Sequence, residues 1–472
     1  MTADPRGLRP HAPLLDAYLR ALDRPGLPFC IPGHKQRTDL VGQVVRGDVP
    51  MFGAVDTMKV AHGSLGEAER RAAALWGADV CRFSVGGSTH GNQTLALAIG
   101  APGDSVVVAR TLHRSLLLGL VLAGLQPVWV RPEVDDDTGL PLGVPVGDVS
   151  RALASHPDAK AVFLGDPSYV GTLSDVSAIA DAAHSHGVPL VLDAAWAAHF
   201  GFHPALPQHG LQRGADALVT SAHKTLPAYT QGALVLARTQ RIDEQRLDAA
   251  FEATHTTSPA GSILASIDAA RALLERDGEQ LLGRLVDVVA DARQRLALVP
   301  GLRVVDGPVI DPAKLVLVLA GTGADGTAVE RDLIEAGMPV EMADRDTLIP
   351  MVTVADRPEH LGPFLDTLVA SIERHRTDPR AVVTSAAWTV EPETVLLPRE
   401  AFFAPRTQLA LDDAVGRVSA ELVAPYPPGI PVLAPGERVT RESVDALLHA
   451  RATGVRIAYA ADPTLSSLRV VS

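Results

Sequence analysis

The chain has 472 residues, of which 47% are hydrophobic and 21% are charged, and its formal net charge is −13. This length and hydrophobic content predict a well-buried globular protein of two or three domains, and they exclude a small module or a disordered chain. The acidic excess argues against a nucleic-acid partner, because nucleic-acid binding depends on basic contacts to phosphates.

The cysteines and the N-terminus bear on the compartment. Cys30 and Cys81 are the only cysteines, too few for a disulfide framework, and they fit a reducing environment. The first residues lack the charged-then-apolar pattern of a signal peptide, and the most apolar run, 116–130, is interrupted by glycine and proline. We therefore expect a cytoplasmic protein with no membrane partner.

The first hundred residues combine short helical patterns with glycine-rich turns. A helix is predicted over 64–75, with Ser64 as its cap. A strand at 80–85 leads into the glycine-rich run 86–92, and the next helix is predicted from about Gln93. Strand, glycine-rich loop and helix together are typical of a phosphate site, although an ordinary tight turn explains the loop equally well.

The segment from 105 to 193 alternates between strands and helices. Strands are predicted at 106–108, 127–130 and 161–164, and helices at 115–123, 149–154 and 176–186. Such alternation indicates a parallel sheet covered by helices, with ligands at the carboxyl ends of its strands. Four features follow predicted strands: the run 86–92, His113, Asp193 and Lys224.

Lys224 and Asp193 together suggest a cofactor. Lys224 follows the apolar segment 217–219, where partial burial would lower the pKa of its amine and favour a Schiff base with an aldehyde. Asp193 ends another apolar run thirty-one residues earlier. The cofactor pyridoxal 5'-phosphate (PLP) requires two such groups: a lysine that binds its aldehyde and a carboxylate that keeps its pyridine nitrogen protonated. A solvated surface lysine is the alternative for Lys224 alone.

The remaining chain predicts a second, smaller α+β unit. A return strand at 231–236 precedes a long helix at 262–298, and strands follow at 301–305 and 314–319. The proline-rich segment 425–431 is expected to pack on the body. We therefore predict three regions: an N-terminal arm at 1–50, a PLP-binding large domain at 51–298 and a C-terminal α+β region at 299–472.

One motif favours a different cofactor. Residues 321–326 read G-x-G-x-x-G after a predicted strand, and Glu341 lies twenty residues beyond Gly321, as in a dinucleotide fingerprint. Too few strands follow it for a mononucleotide-binding half, and Asp325 would repel a pyrophosphate. We therefore prefer an ordinary strand-to-helix turn and keep an NAD-dependent oxidoreductase as a distant alternative. No metal site is expected, because the acidic run 135–137 lacks calcium-loop spacing.

Eight collinear motifs resemble a known family, the PLP-dependent ornithine/lysine/arginine decarboxylases of the fold-type I, aspartate aminotransferase-like class. The resemblance extends from about residue 10 to 445 and is closest to the shorter, biosynthetic branch. The motifs are Pro32-Gly33-His34-Lys35, Ser88-Thr89, His113-Arg114-Ser115, Asp166-Pro167-Ser168-Tyr169, 193–199, 221–224, Thr256-Thr257-Ser258-Pro259 and 426–431.

The resemblance implies a role for each matching residue. Lys224 would be the Schiff-base lysine, Asp193 the partner of the pyridine nitrogen, and His113 the residue stacked on the ring. Ala195 would pack under the ring, and Ser88, Thr89, Ser221 and His223 would surround the phosphate. Thr257 and Ser258 would reach the phosphate of a neighbouring subunit, which implies a homodimer or higher oligomer with shared sites; a plain helix cap is the alternative for that pair.

The resemblance further implies α-decarboxylation of a basic L-amino acid, with arginine preferred over lysine or ornithine. Three departures put the usual substrates in question: Ala194 and Trp196 where the family often has Glu and His, Arg114 where Lys is usual, and Ala260-Gly261 where Ser-Tyr is typical. An aminotransferase or a decarboxylase of an unusual amino acid on the same scaffold therefore stays open, as does a catalytically silent homologue.

Overall fold

The computed structural model describes residues 4–24, 29–51, 55–56, 63–383, 390–426 and 429–472. A seven-stranded sheet in the order β1-β7-β6-β5-β4-β2-β3 forms its centre. The strands β2 to β6 pair in parallel, whereas β7 is antiparallel to both of its neighbours. The strands are β1 (Val80–Ser84), β2 (Ser105–Ala109), β3 (Gln126–Val130), β4 (Val162–Gly165), β5 (Leu190–Asp193), β6 (Ala217–Ser221) and β7 (Ala233–Ala237).

Helices cover both faces of this sheet. Every residue of β2, β5, β6 and β7 is buried, which explains why these strands are continuous apolar runs rather than alternating ones. The helices are α1 (Pro13–Leu22), α2 (Thr38–Val41), α3 (Ser64–Trp76), α4 (Gly87–Ile99), α5 (Arg114–Ala123), α6 (Val146–Ser155), α7 (Val176–Ser185), α8 (Ala222–Thr225), α9 (Glu244–Thr254), α10 (Gly261–Leu296), α11 (Gly326–Glu335), α12 (Pro358–Arg374), α13 (Pro398–Phe403) and α14 (Arg441–Ala452).

The C-terminal region adds smaller sheets. Four short strands pair in the order β10-β11-β9-β8, and two further pairs join β12 to β15 and β13 to β14. The predicted strands at 301–305 and 314–319 are real but shorter than expected. The strands are β8 (Arg303–Val304), β9 (Leu317–Val318), β10 (Met342–Ala343), β11 (Thr347–Ile349), β12 (Arg406–Ala410), β13 (Ala424–Tyr426), β14 (Arg456–Ala458) and β15 (Ser467–Val471).

Two helix starts differ from the prediction. Gly63, not Ser64, is the N-cap of α3, and the carboxylate of Asp56 accepts the Leu65 N–H at 2.6 Å, so the predicted serine cap is wrong. The helix α4 begins at Gly87 rather than near Gln93. A Cβ at Gly91 would lie 2.3 Å from the Val219 side chain, so the glycines let this helix cross the sheet closely.

The G-x-G-x-x-G segment is an ordinary turn, as preferred. Residues Ala320–Thr322 form a 3-10 turn, and Asp325 caps α11 by accepting the Thr327 N–H at 2.9 Å. A Cβ at Gly321 would lie 2.4 Å from the Gly301 carbonyl oxygen, so backbone, not a ligand, fills the space. Of the proline-rich segment, Ile430 is buried, while Pro427 and Pro428 lie outside the described residues.

The longest described helix, α10, carries charged residues along its length. None of the helices in the described part of the chain is both long and apolar enough to cross a membrane.

Candidate active site

Lys224 lies where the backbone leaves the central sheet. It belongs to the single-turn helix α8, which directly follows β6, and its Nζ lies 4.2 Å from the centroid of the Trp196 ring. Burial lowers the pKa of Lys224, while the carboxylates of Asp193 and Glu341 act in the opposite direction. The amine is therefore more available as a nucleophile than that of a surface lysine.

Asp193 ends β5, the neighbour of β6, and fixed donors hold its carboxylate. The Asn92 side-chain amide donates to Oδ2 at 2.7 Å, and the backbone N–H of Ala195 donates to Oδ1 at 3.2 Å. The Ala195 carbonyl in turn accepts the Ser221 N–H at 3.3 Å, which ties the ends of the two strands together. Asp193 and Ala195 are both buried.

His113 is linked to Asp193 through a chain of hydrogen bonds. The Asn92 amide also donates to Ser115 Oγ at 2.9 Å, and Ser115 Oγ lies 2.8 Å from His113 Nδ1. The Ser115 backbone N–H donates to the same nitrogen at 3.2 Å, so Nδ1 is an acceptor. Desolvation lowers the pKa of His113, with Asp193 opposing the shift and Lys224 adding to it. Burial therefore favours the neutral form of the imidazole.

Hydroxyl groups meet at the start of α4. Ser88 and Ser221 are buried, and their Oγ atoms lie 2.7 Å apart. Thr89 is exposed in the same first turn of the helix, where backbone N–H groups point outward. His223 Nδ1 donates to the Gly232 carbonyl at 2.9 Å, and burial lowers the pKa of His223. Helix N–H groups and hydroxyls in this arrangement fit a phosphate group.

Thr257 and Ser258 lie apart from this cluster. Both are exposed in the turn between α9 and α10, where the Ser258 N–H donates to Thr256 Oγ1 at 3.2 Å. Within the described part of a single chain, no hydrogen bond joins either residue to Ser88, Ser221 or Lys224. Their predicted contact with the phosphate of a neighbouring subunit stays a prediction.

Four further side chains lie near Lys224, and the family resemblance gave none of them a role. The Tyr169 hydroxyl donates to Glu341 Oε1 at 3.0 Å, and its ring contacts Trp196 edge-on with centroids 5.4 Å apart. Lys314 Nζ lies 3.7 Å from the Trp196 centroid. Tyr169 and Trp196 lie within the family motifs, and Glu341 was noted only as the acidic residue of the dinucleotide fingerprint, so Lys314 alone lacked any sequence signal.

Asn92 is a fifth residue to which no sequence motif gave a role. It lies four residues after Ser88, one helical turn along α4, and a buried asparagine on an otherwise apolar helix face needs a polar partner. Once α4 is known to begin at Gly87, that spacing places Asn92 on the face that contains Ser88. The misplaced helix start therefore concealed this residue.

The donors and charges present fit PLP. A lysine of lowered pKa at a strand end could hold the aldehyde, a buried carboxylate held by two donors could face a protonated pyridine nitrogen, and a helix N-terminus with paired hydroxyls could hold the phosphate.

Comparison with known proteins identifies relatives of this chain. A family model described as the Orn/Lys/Arg decarboxylase major domain matches residues 12–321, and one for the C-terminal domain matches 381–455. The chain is 30% identical to an arginine decarboxylase of Halalkalibacterium halodurans over 478 residues, which cover 97% of each chain. It is 32% identical to the uncharacterized protein YaaO of Bacillus subtilis, covering 93% of this chain and 94% of that one.

Solved structures share the fold. Lysine decarboxylase A from Pseudomonas aeruginosa superposes with a TM-score of 0.83 at 20% identity, covering 98% of this chain and 80% of that chain. The serine palmitoyltransferase of Sphingomonas wittichii superposes with a TM-score of 0.57 at 15% identity, covering 79% of this chain and 86% of that chain. The predicted fold-type I architecture is thereby confirmed. The chain belongs to the Orn/Lys/Arg decarboxylase family, and it is a PLP-dependent amino-acid decarboxylase.

Proposed function

We propose that this protein removes the α-carboxyl group of a basic L-amino acid, arginine first, and releases carbon dioxide and the corresponding amine. The observation that carries the proposal is the environment of the Glu341 carboxylate. The carboxylate is exposed, accepts a hydrogen bond from Tyr169, and raises the pKa of Lys224 against the effect of burial. A carboxylate in that position suits a substrate with a distal cation.

The proposed roles of the cofactor residues follow the family resemblance. When bound, PLP supplies an electron sink that stabilises the electron pair left at Cα. Lys224 would hold the cofactor, Asp193 would keep a proton at the pyridine nitrogen, and His113 and Ala195 would pack against the ring. Ser88, Thr89, Ser221 and His223 would bind the phosphate, together with Thr257 and Ser258 of a neighbouring subunit in a homodimer.

Asn92 and Trp196 support these residues. Asn92 donates to the Asp193 carboxylate and to Ser115, so it fixes the carboxylate and orients the His113 ring through one side chain. Trp196 shields the Lys224 amine from bulk water on the side of its ring. With water kept away, the amine takes up and releases a proton under the control of the nearby charges.

The first experiment is a screen of carboxyl-labelled amino acids for release of labelled carbon dioxide by PLP-loaded protein. We expect release from arginine, and from lysine or ornithine more slowly, but not from glutamate or leucine. Lys224→Ala should abolish both release and the borohydride-trappable adduct of the cofactor. The chain has five lysines, so peptide mapping assigns the adduct unambiguously. A keto acid in place of the amine would refute decarboxylation.

The role of Glu341 is tested by Glu341→Gln. Loss of one hydrogen bond between charged groups, about 1.5–3 kcal/mol, should raise KM for arginine about 10- to 100-fold with a smaller change in kcat. Glu279→Gln is the matched control, because Glu279 is exposed on α10 and carries the same chemical change. Equal KM values for the two variants would remove Glu341 from substrate recognition.

A further inference from the structure

Lys314 is a buried cation with no counterion in direct contact. Only 7% of the residue is exposed, and Nζ makes no hydrogen bond within the described part of the chain. Its stem packs against Gly171, where an added Cβ would lie 2.8 Å from the Lys314 Cγ, so the side chain is confined. Burying an ammonium without a partner costs several kcal/mol, and a fold keeps such a group only if other contacts offset that cost.

The nitrogen faces the active site through an aromatic ring. Lys314 Nζ lies 3.7 Å from the Trp196 centroid, and Lys224 Nζ lies 4.2 Å from the same centroid. The two nitrogens are therefore no farther apart than the 7.9 Å to which those distances add. Cation–π attraction to one ring compensates part of the burial and holds the two amines near each other.

Behind the ring, Lys314 shares a small cavity with other polar atoms that lack partners. The cavity has a volume of about 20 Å³, and His199 and Thr225 line it together with Lys314. His199 Nδ1 and Thr225 Oγ1 make no hydrogen bond to a described residue. A polar cavity of this size has room for one water molecule, which can hydrate the ammonium and so keep it charged.

We propose that Lys314 is a positioning residue whose buried positive charge, held against Trp196, disfavours a proton on the nitrogen of Lys224 and so tunes the bond between Lys224 and the cofactor. This inference rests on the proposed role of Lys224 as cofactor anchor. No bond is formed or broken at Lys314 itself.

The charge balance around the pair supports this role. Burial lowers the pKa of Lys314 to about 8, with Asp311 and Glu341 opposing and Lys224 adding to the shift. Because repulsion between two cations is mutual, a charged Lys314 would in return disfavour a proton on the Lys224 nitrogen. The titratable groups facing the two lysines are the carboxyls of Asp193, Asp311 and Glu341, the imidazoles of His113, His199 and His223, and the Tyr169 phenol.

The carboxylates favour protonation of Lys224, and a positive charge on Lys314 would oppose them together with burial. Without that charge, Asp193 and Glu341 would hold a proton on the nitrogen to higher pH. At neutral pH a lysine with a pKa of about 8 is mostly charged, so its effect is present where the enzyme would work.

The test is a pH titration of the visible absorbance of the holoenzyme and of Lys314→Met. The Lys314 and Lys224 nitrogens are at most 7.9 Å apart. At that limit and an effective dielectric constant of about 20, loss of one charge should move the midpoint of the absorbance titration upward by about 1.5 pH units. Lys314→Arg should restore the wild-type midpoint. Lys160→Met is the matched control, because Lys160 is exposed, and its midpoint should not move.

An unchanged or lowered midpoint in Lys314→Met would overturn the inference. A higher KM in Lys314→Met with an unchanged midpoint would also overturn it, since that pattern indicates a role in substrate binding. Lys314→Gln, which can hydrogen-bond in the cavity, replaces the methionine variant if the latter does not fold. Mapping the borohydride-reduced cofactor in the wild type is a separate control. An adduct on another lysine refutes the anchor itself, whereas an adduct on Lys224 with an unmoved midpoint refutes only the role of Lys314.

Discussion

Asn92→Ala should weaken catalysis without releasing the cofactor. The Asn92 side chain is 2% exposed and donates to Asp193 at 2.7 Å and to Ser115 at 2.9 Å. Its removal leaves the Asp193 carboxylate with one direct donor, the Ala195 N–H, and frees Ser115 from its fixed orientation. The phosphate contacts proposed for Ser88 do not involve Asn92, so the cofactor should stay bound.

The magnitude follows from the two hydrogen bonds lost. The bond to a carboxylate contributes about 1.5–3 kcal/mol and the neutral one about 1 kcal/mol, so unfolding should become easier by about 2.5–4 kcal/mol. If the carboxylate bond is felt fully in the transition state, its loss alone slows turnover about 10- to 100-fold, because each 1.4 kcal/mol corresponds to a factor of ten.

The assay compares kcat for carbon dioxide release, visible absorbance of the bound cofactor and thermal unfolding. Thr94→Val is the matched control, because Thr94 is fully buried on the same helix and its Oγ1 contacts His90 Nε2 at 3.3 Å, away from Asp193. It should lose stability but keep its kcat. If Asn92→Ala keeps a wild-type kcat, or if both variants lose turnover in proportion to stability, the network does not act on Asp193.

Three other outcomes are expected. Asp193→Asn should retain the cofactor through the phosphate contacts but lose several orders of magnitude in rate, since the pyridine nitrogen loses the carboxylate that holds its proton; near-normal turnover would assign that task to another group. Refolding Lys224→Ala together with Ser258→Asp should restore roughly a quarter of the activity if sites are shared, because about half the dimers are mixed and each has one intact site; no recovery, with mixed dimers present, would place Ser258 in its own subunit's site. Burial raises the pKa of Glu69 to about 7, although the Phe83 N–H opposes the shift. The folded chain therefore retains this proton to higher pH than the unfolded chain, so the free energy of unfolding should fall by about 3 kcal/mol as pH rises from 4.5 to 7. Denaturant titrations of Glu69→Gln should show a weaker dependence of that free energy on pH.

Much of the central sheet follows from the sequence. Strands β2 to β5 are short apolar runs separated by the helices α5, α6 and α7, and connections of that length join parallel strands in one sheet. Parallel strands bring their carboxyl ends to one edge, so Asp193 and Lys224 could be placed together from chain order alone. The other residues at that edge could not be placed from chain order. Whether a helical residue faces the edge depends on where its helix begins.

Local propensity failed where packing overrides it. Glycines at 86, 87 and 91 predict a loop, yet the chain is helical from Gly87 because α4 lies close enough to the sheet that Val219 leaves no room for a Cβ at Gly91. Likewise Ser64 has the composition of a cap, but the Asp56 carboxylate takes the N–H that a cap would bind. In both cases a residue outside the local window decides the outcome.

The order of residues along the chain already indicates the kind of site: a strand-end lysine, a strand-end carboxylate and a helix N-terminus, in an order that identifies the family. The surroundings of these groups depend on how the chain folds. Asn92 and Asp193 are 101 residues apart along the chain, and Lys314 and Glu341 come from beyond the large sheet to meet at Trp196 and Tyr169. Desolvation and Coulomb interactions depend on such distances in space, which no local pattern in the chain records.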